Sequence, residues 1–141
     1  MIESTEQPLS LVLFSGTEDR LQAAAVLTAG AAALGRPVHI FLQYWALDAF
    51  RADRIASALP LAPEAGSAGR SAVDSARQAG QQPWFQTLRD AKDIGEVDIQ
   101  ACSLSMDILH LNPDQLDPIV DGVEGVAAFY VNAGSGQMVF I

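Results

Sequence analysis

Short apolar runs, each ended by a helix-start signal, set the strongest limit on how this chain can fold. Residues 9–14 (LSLVLF) are rich in strand formers and stop at Ser15-Gly16-Thr17, a turn with a candidate N-cap in Thr17. Glu18 and Asp19 then sit where the positive end of a helix dipole favours acids. Leu21, Ala24, Ala25, Thr28, Ala31 and Ala32 recur at helical spacing, until Gly35 and Pro37 end the helix. The pattern repeats with a strand at 38–42 (VHIFL) and a second helix over 48–59. It returns with a third helix over 84–94, a strand at 97–101, a short helix over 104–109 and a helix from Pro113 through Val120. A strand at 122–126, a short helix over 128–133 and a last strand at 137–141 (QMVFI) close the chain. Strands alternating with helices build parallel sheets. The expected fold is α/β, a three-layer, flavodoxin-like arrangement with a mostly parallel five-stranded sheet and helices on both faces.

Residues 1–141 read as a single domain, long enough to bury a real core. One segment departs from the pattern. Residues 60–83 are rich in Ala, Gly, Ser, Gln and Pro and poor in large apolar side chains. Little apolar area offsets the entropy of ordering them, so a mobile surface loop is expected, with a loose helix at 72–78.

Charge narrows the function classes. Eight Lys and Arg stand against 17 Asp and Glu, for a formal net charge of -9. Nucleic acid and anionic membrane surfaces are therefore not expected partners. A single cysteine excludes an intramolecular disulfide and fits a reducing compartment. The start, with Glu3 and Glu6 and no basic stretch, does not read as a leader peptide. The longest apolar stretch, 21–34, falls short of the roughly 20 residues a membrane span needs. The cytoplasm is the expected location.

In open parallel sheets, ligands bind beyond the carboxyl ends of the strands. Ser15-Gly16-Thr17, Gln43-Tyr44-Trp45 and Cys102-Ser103 occupy such positions. Cys102 is the sharpest of them. It follows a strand and precedes a helix start, where unpaired N–H groups favour a thiolate. A free cysteine is also a common small core hydrophobe, so an inert, buried Cys102 stays open as the alternative. Tyr44, Trp45 and Asp48 are candidate pocket residues. Neither a dinucleotide nor a P-loop fingerprint is present at Gly16, and the acidic first turn disfavours a nucleotide or flavin there. One cysteine and two scattered histidines form no metal-binding spacing, so no metal and no cofactor are expected.

The segment from Val97 to Leu109, VDIQACSLSMDIL, resembles the cysteine segment of the DsrE/DsrF-like family. The opening LVLFSGTEDR, the alanine-rich helix, FLQYWALDA at 41–49 and DGVEGV at 121–126 are similar to other parts of that family, in the same order. The resemblance implies a sulfur carrier or sulfurtransferase that holds sulfane sulfur as an adduct on Cys102. It implies exchange with a TusA-like carrier or a rhodanese-like sulfurtransferase, and a homo-oligomer, a trimer or hexamer. Ser103, Tyr44, Trp45 and Asp48 would then line the substrate site. The lack of a second cysteine points to an intermolecular relay. The competing expectation is a non-enzymatic oligomeric binding or scaffold module.

Overall fold

The computed structural model describes residues 7–141; the leader reading, which falls on residues 1–6, lies outside them. Strand β1 (Leu9–Leu13) leads to helix α1 (Glu18–Ala33), then β2 (Val38–Leu42) and α2 (Tyr44–Ala49). A 3₁₀ turn at Pro63–Ala65 precedes α3 (Gly66–Gln78) and α4 (Trp84–Ile94). Next come β3 (Val97–Cys102), α5 (Ser103–Ile108), a 3₁₀ turn at Pro113–Gln115, β4 (Gly122–Glu124), α6 (Val126–Ala133) and β5 (Gln137–Phe140). Every strand pairing is parallel, and the order is β4-β3-β2-β1-β5. The fold is α/β, with helices on both faces of a five-stranded sheet.

The order explains how the helices divide. From β1 to β4 each strand is added on the same side of the last, so right-handed crossovers put every connection on one face. The return from β4 across the sheet to β5 runs the opposite way and takes the other face. The packing agrees. Leu9, Leu11 and Leu13, Val38, Ile40 and Leu42, and Val97, Ile99 and Ala101 point to the face that carries α1 and α4. The opposite face carries α6, an eight-residue helix. This differs from the 2-1-3-4-5 order of flavodoxin itself.

Small side chains let α1 lie close to the sheet and to α4. Leu21, Ala24, Ala25, Thr28, Ala31 and Ala32 are buried at the expected spacing. The Thr28 hydroxyl is satisfied by donating to the Ala24 carbonyl at 2.8 Å. Thr17 takes the N-cap position with extended backbone but makes no side-chain cap; the Glu18 N–H donates to the Pro60 carbonyl at 2.8 Å instead.

Several boundaries differ from the sequence reading. The second helix occupies Tyr44–Ala49 rather than 48–59, with turns following it. The helix expected after Pro113 is one 3₁₀ turn, because Leu116 already returns to extended backbone. The largest difference concerns residues 60–83, where the helix expected at 72–78 spans Gly66–Gln78 as the 13-residue α3. None of its side chains is buried. Its attachment is ionic: Arg70 and Arg77 each donate to the buried Glu18 carboxylate, at 3.2 and 2.9 Å, and Arg70 also donates to the Leu59 carbonyl at 2.6 Å. Apolar counting misses a helix held this way.

Glu18 is therefore expected to set the local stability of α3. Replacing Glu18 with Ala removes two charge-assisted hydrogen bonds, each worth about 1.5–3 kcal/mol. Limited proteolysis within residues 66–83 should accelerate by roughly tenfold or more, with a much smaller change in global melting, since local opening is governed by local contacts.

Candidate functional site at the ends of strands β3 and β4

Connections from β1, β2 and β3 leave on one face of the sheet, and the connection from β4 leaves on the other. Neighbouring strands whose exits diverge open a crevice at their carboxyl ends, the usual ligand position in parallel sheets. Here that point lies between β3 and β4. Their last residues, Cys102 and Glu124, are register partners. With a period of two along each strand, both belong to the face that α6 covers.

Cys102 also occupies the N-cap position of α5, with φ -70° and ψ 121°. It packs with Phe41, Phe129 and Ala133 and is 4% exposed. Phe129 of α6 stacks on Phe41 of β2, with ring centroids 4.6 Å apart and planes 10° off parallel. An apolar groove of about 420 Å³ opens over these two rings, bordered by Val126, Tyr130, Met138 and Phe140, with Gln43 at its edge. The cover over Cys102 is thin. Only Phe129 and Ala133 of α6 are buried, and Val131 is 79% exposed.

Glu124 is partly buried, and the side-chain amide of Asn132 in α6 donates to its carboxylate at 3.0 Å. Burial raises the Glu124 pKa above the ordinary carboxylate value; nearby Asp98 pushes the same way, and the Asn132 hydrogen bond and His39 pull it down. Ser103 starts α5 and is exposed, its hydroxyl 3.8 Å from where a Cβ on Gly125 would stand. It therefore lies at the carboxyl ends of the same two strands.

Tyr44 joins this region through its backbone. Its φ is +45°, unusual for a residue with a Cβ, and its N–H donates to the buried Ser105 hydroxyl of α5 at 3.0 Å. The bond ties the turn after β2 to the helix that begins at Cys102. The Tyr44 ring lies 5.1 Å from Phe14 and 6.0 Å from Trp45. Trp45 and Asp48 line a different cavity, of about 390 Å³, beyond β1 with Ser15, Thr17, Arg20 and Arg54. Asp48 is engaged by Arg51 and Arg54, both at 3.2 Å. The candidate residues thus divide: Cys102, Ser103 and Tyr44 are linked through β3 and α5, while Trp45 and Asp48 are turned to the neighbouring cavity.

Residues distant in sequence meet on the α6 face. Ser10, His39 and Asp98 are register partners across β1, β2 and β3. They do not form a catalytic triad. His39 Nδ1 lies 3.9 Å from Asp98, and the buried Ser10 hydroxyl has no hydrogen-bond partner. The row sits in the amino-terminal half of the strands, away from the crevice. Glu124 was not singled out from the sequence. Its signal is an acid ending a strand, which a strand drawn through 126 conceals. Among the described residues no group of three or more His, Cys, Asp or Glu side chains is placed to hold a metal ion. Nor is any described helix long and apolar enough to cross a membrane.

The first part of the chain carries the likeness to a known family. Residues 5–66 match the DsrE/DsrF/DrsH-like family. This supports the resemblance drawn from the sequence, and it takes in β1, α1, β2 and α2. The matched region ends before Cys102. The uncharacterized protein YrkE of Bacillus subtilis (strain 168) is similar along nearly the whole chain, at 27% identity over 161 residues and 98% coverage of both proteins. Among solved structures, the protein of unknown function MTH1491 from Methanobacterium thermoautotrophicum matches with a TM-score of 0.60. The match covers 96% of this chain and 100% of that one, at 11% identity, and shows a shared fold.

Two stability measurements test this geometry. Ser105→Ala leaves the Tyr44 N–H without its acceptor and should cost about 1–3 kcal/mol in denaturant unfolding. For Glu124 the sign is opposite. Its folded pKa lies above the unfolded one, so its favourable contribution is full below the unfolded value and is lost as pH rises through the folded value. Glu124→Gln should therefore match or exceed wild-type stability at pH 7, and the advantage should shrink as the pH falls toward 4.

Proposed function

We propose that this chain accepts and passes on sulfane sulfur as an adduct of Cys102. The observation that carries this reading is the position of Cys102. It ends β3 at the crevice between strands with diverging exits, beside Glu124 and beneath a short helix held by two buried side chains. The similarity of residues 5–66 to the DsrE/DsrF/DrsH-like family supports a role related to sulfur relay. The chemistry is thiol exchange: the Cys102 thiolate attacks a sulfane sulfur, and a partner thiolate later removes it. With one cysteine in the chain, both steps are intermolecular. A TusA-like carrier or a rhodanese-like sulfurtransferase is the proposed partner, in a reducing compartment such as the cytoplasm. Exposed apolar side chains on α6 and β5, with Phe140 66% exposed, suit contacts within a trimer or hexamer.

At 4% exposure Cys102 must be uncovered to react. The motion this reading requires is a displacement of α6, which runs between Gly125 and Gly134, the latter at φ +65°. The burial itself favours a second reading, a non-enzymatic binding or scaffold module in which Cys102 is inert core.

Intact-protein mass spectrometry separates the two. Exposure to inorganic polysulfide, or to a persulfidated TusA-like carrier, should add sulfur to the wild-type protein and none to Cys102→Ser, with the fold retained in both. A wild type that stays unmodified with both donors, together with marked destabilisation of Cys102→Ser, gives the scaffold reading.

A further inference from the structure

We propose that the α6 face of the sheet docks a basic segment of a protein partner, recognised by the charges of Asp98 and Glu124; that this partner is the sulfur donor or acceptor rests on the reading above. The cations of the chain are all committed elsewhere. Seven of the eight Lys and Arg pair with carboxylates, none of which lies in a strand or in α6. The eighth, Arg36, donates to the Gln7 carbonyl at 2.9 Å. No strand contains a Lys or Arg, and neither does α6. The strands hold two carboxylates, Asp98 on β3 and Glu124 on β4, and both belong to the face that carries Cys102. Each accepts a hydrogen bond from a neutral amide: Gln100 donates to Asp98 at 2.8 Å and Asn132 to Glu124 at 3.0 Å. The Asp98 side chain is 37% exposed and Glu124 is half-buried, so both can be reached from solvent. Burial raises the Glu124 pKa and Asp98 adds to the rise, as like charges do when no cation stands between them.

The row that includes Asp98 is open in another respect. Its register partners toward β1 are His39 and Ser10. The hydroxyl of Ser10, a residue 1% exposed, and Nδ1 of His39 have no hydrogen-bond partner in the chain. Buried polar groups are normally paired, so this face is not complete in the chain alone. Apolar contact is available beside the acids. Val126, Tyr130 and Val131 of α6 are exposed, and Val131 directly precedes the Asn132 that holds Glu124. The surface that fits therefore carries Lys or Arg next to apolar side chains, and the same two carboxylates disfavour an acidic one. A cation on Glu124 also competes with Asn132 for the carboxylate. That hydrogen bond is one of the few ties holding α6 over Cys102, so docking acts on the cover of the thiol.

The test measures, by fluorescence anisotropy, the binding of two labelled peptides to the full chain. Both contain leucine and serine; one is otherwise rich in lysine and the other in glutamate. Neither holds a cysteine, so binding is read apart from sulfur transfer. At about 50 mM salt the lysine peptide should bind roughly tenfold more tightly, and the preference should shrink at about 300 mM as screening sets in. Asp98→Asn combined with Glu124→Gln should erase the preference. Each amide keeps an oxygen for its neighbour, and a melting curve verifies the fold. Asp93→Asn combined with Asp114→Asn removes the same charge from exposed positions in α4 and in the second 3₁₀ turn, and should leave the preference largely intact. Equal binding of the two peptides to wild type overturns the docking face. So does a preference that survives the Asp98 and Glu124 changes, or one lost equally in both double variants, which is the effect of net charge alone. The expected pattern in a chain that takes up no sulfur from polysulfide keeps the docking face and overturns the carrier reading.

Discussion

The direction of the strand connections governs everything else in this molecule. Four strands laid down in one direction commit their crossovers to one face, where α1 and α4 bury the leucines and isoleucines of β1, β2 and β3. The other face is left to the single return from β4 to β5. An eight-residue helix cannot cover a five-stranded sheet, so it shields Phe41 and Cys102 and leaves His39 and Asp98 half-buried beside it. The chain turns to opposite faces after β3 and β4, and that divergence marks their carboxyl ends as the usual ligand position. One topological choice thus fixes where Cys102 stands, what covers it and which acid it adjoins.

The two helices that lie most loosely on the sheet are held by different physics. Helix α3 has no buried side chain and is fastened by guanidinium groups on the buried Glu18 carboxylate. Helix α6 is fastened by one aromatic stack, one buried alanine and one amide–carboxylate hydrogen bond. Both attachments are small compared with the α1–α4 layer, where whole rows of side chains leave water at about 25 cal/mol per Å² of apolar surface. The main core does not depend on either attachment.

The strand–helix alternation, the parallel sheet and the place of Cys102 at a strand end were legible because they are local patterns. LSLVLF, VHIFL and VDIQA have strand composition, and the alanines of α1 keep helical spacing over four turns. Helix α3 was not legible as a helix along its whole length. Its small and polar residues carry weak periodicity, and the partner that holds it, Glu18, lies some fifty residues away. Trp45 and Asp48 looked like neighbours of the cysteine because all three sit at strand ends, yet they line a cavity beyond β1. Sequence spacing does not tell on which side of a strand end a loop residue turns.

By itself the sequence determined the class of fold, the absence of a second thiol and the strand on which the cysteine rides. These follow from composition and from periods of two and of about 3.6 residues, which act over a few neighbours. Only the tertiary structure decided that Glu124 pairs in register with Cys102, that Tyr44 is pinned by Ser105, and that Phe129 joins Cys102 in one buried cluster. Each of these joins residues 20 or more positions apart. The reason is physical: strand order and register are set by how apolar faces pack and how backbone N–H and C=O groups pair across the sheet, and neither is written in any single stretch of the chain.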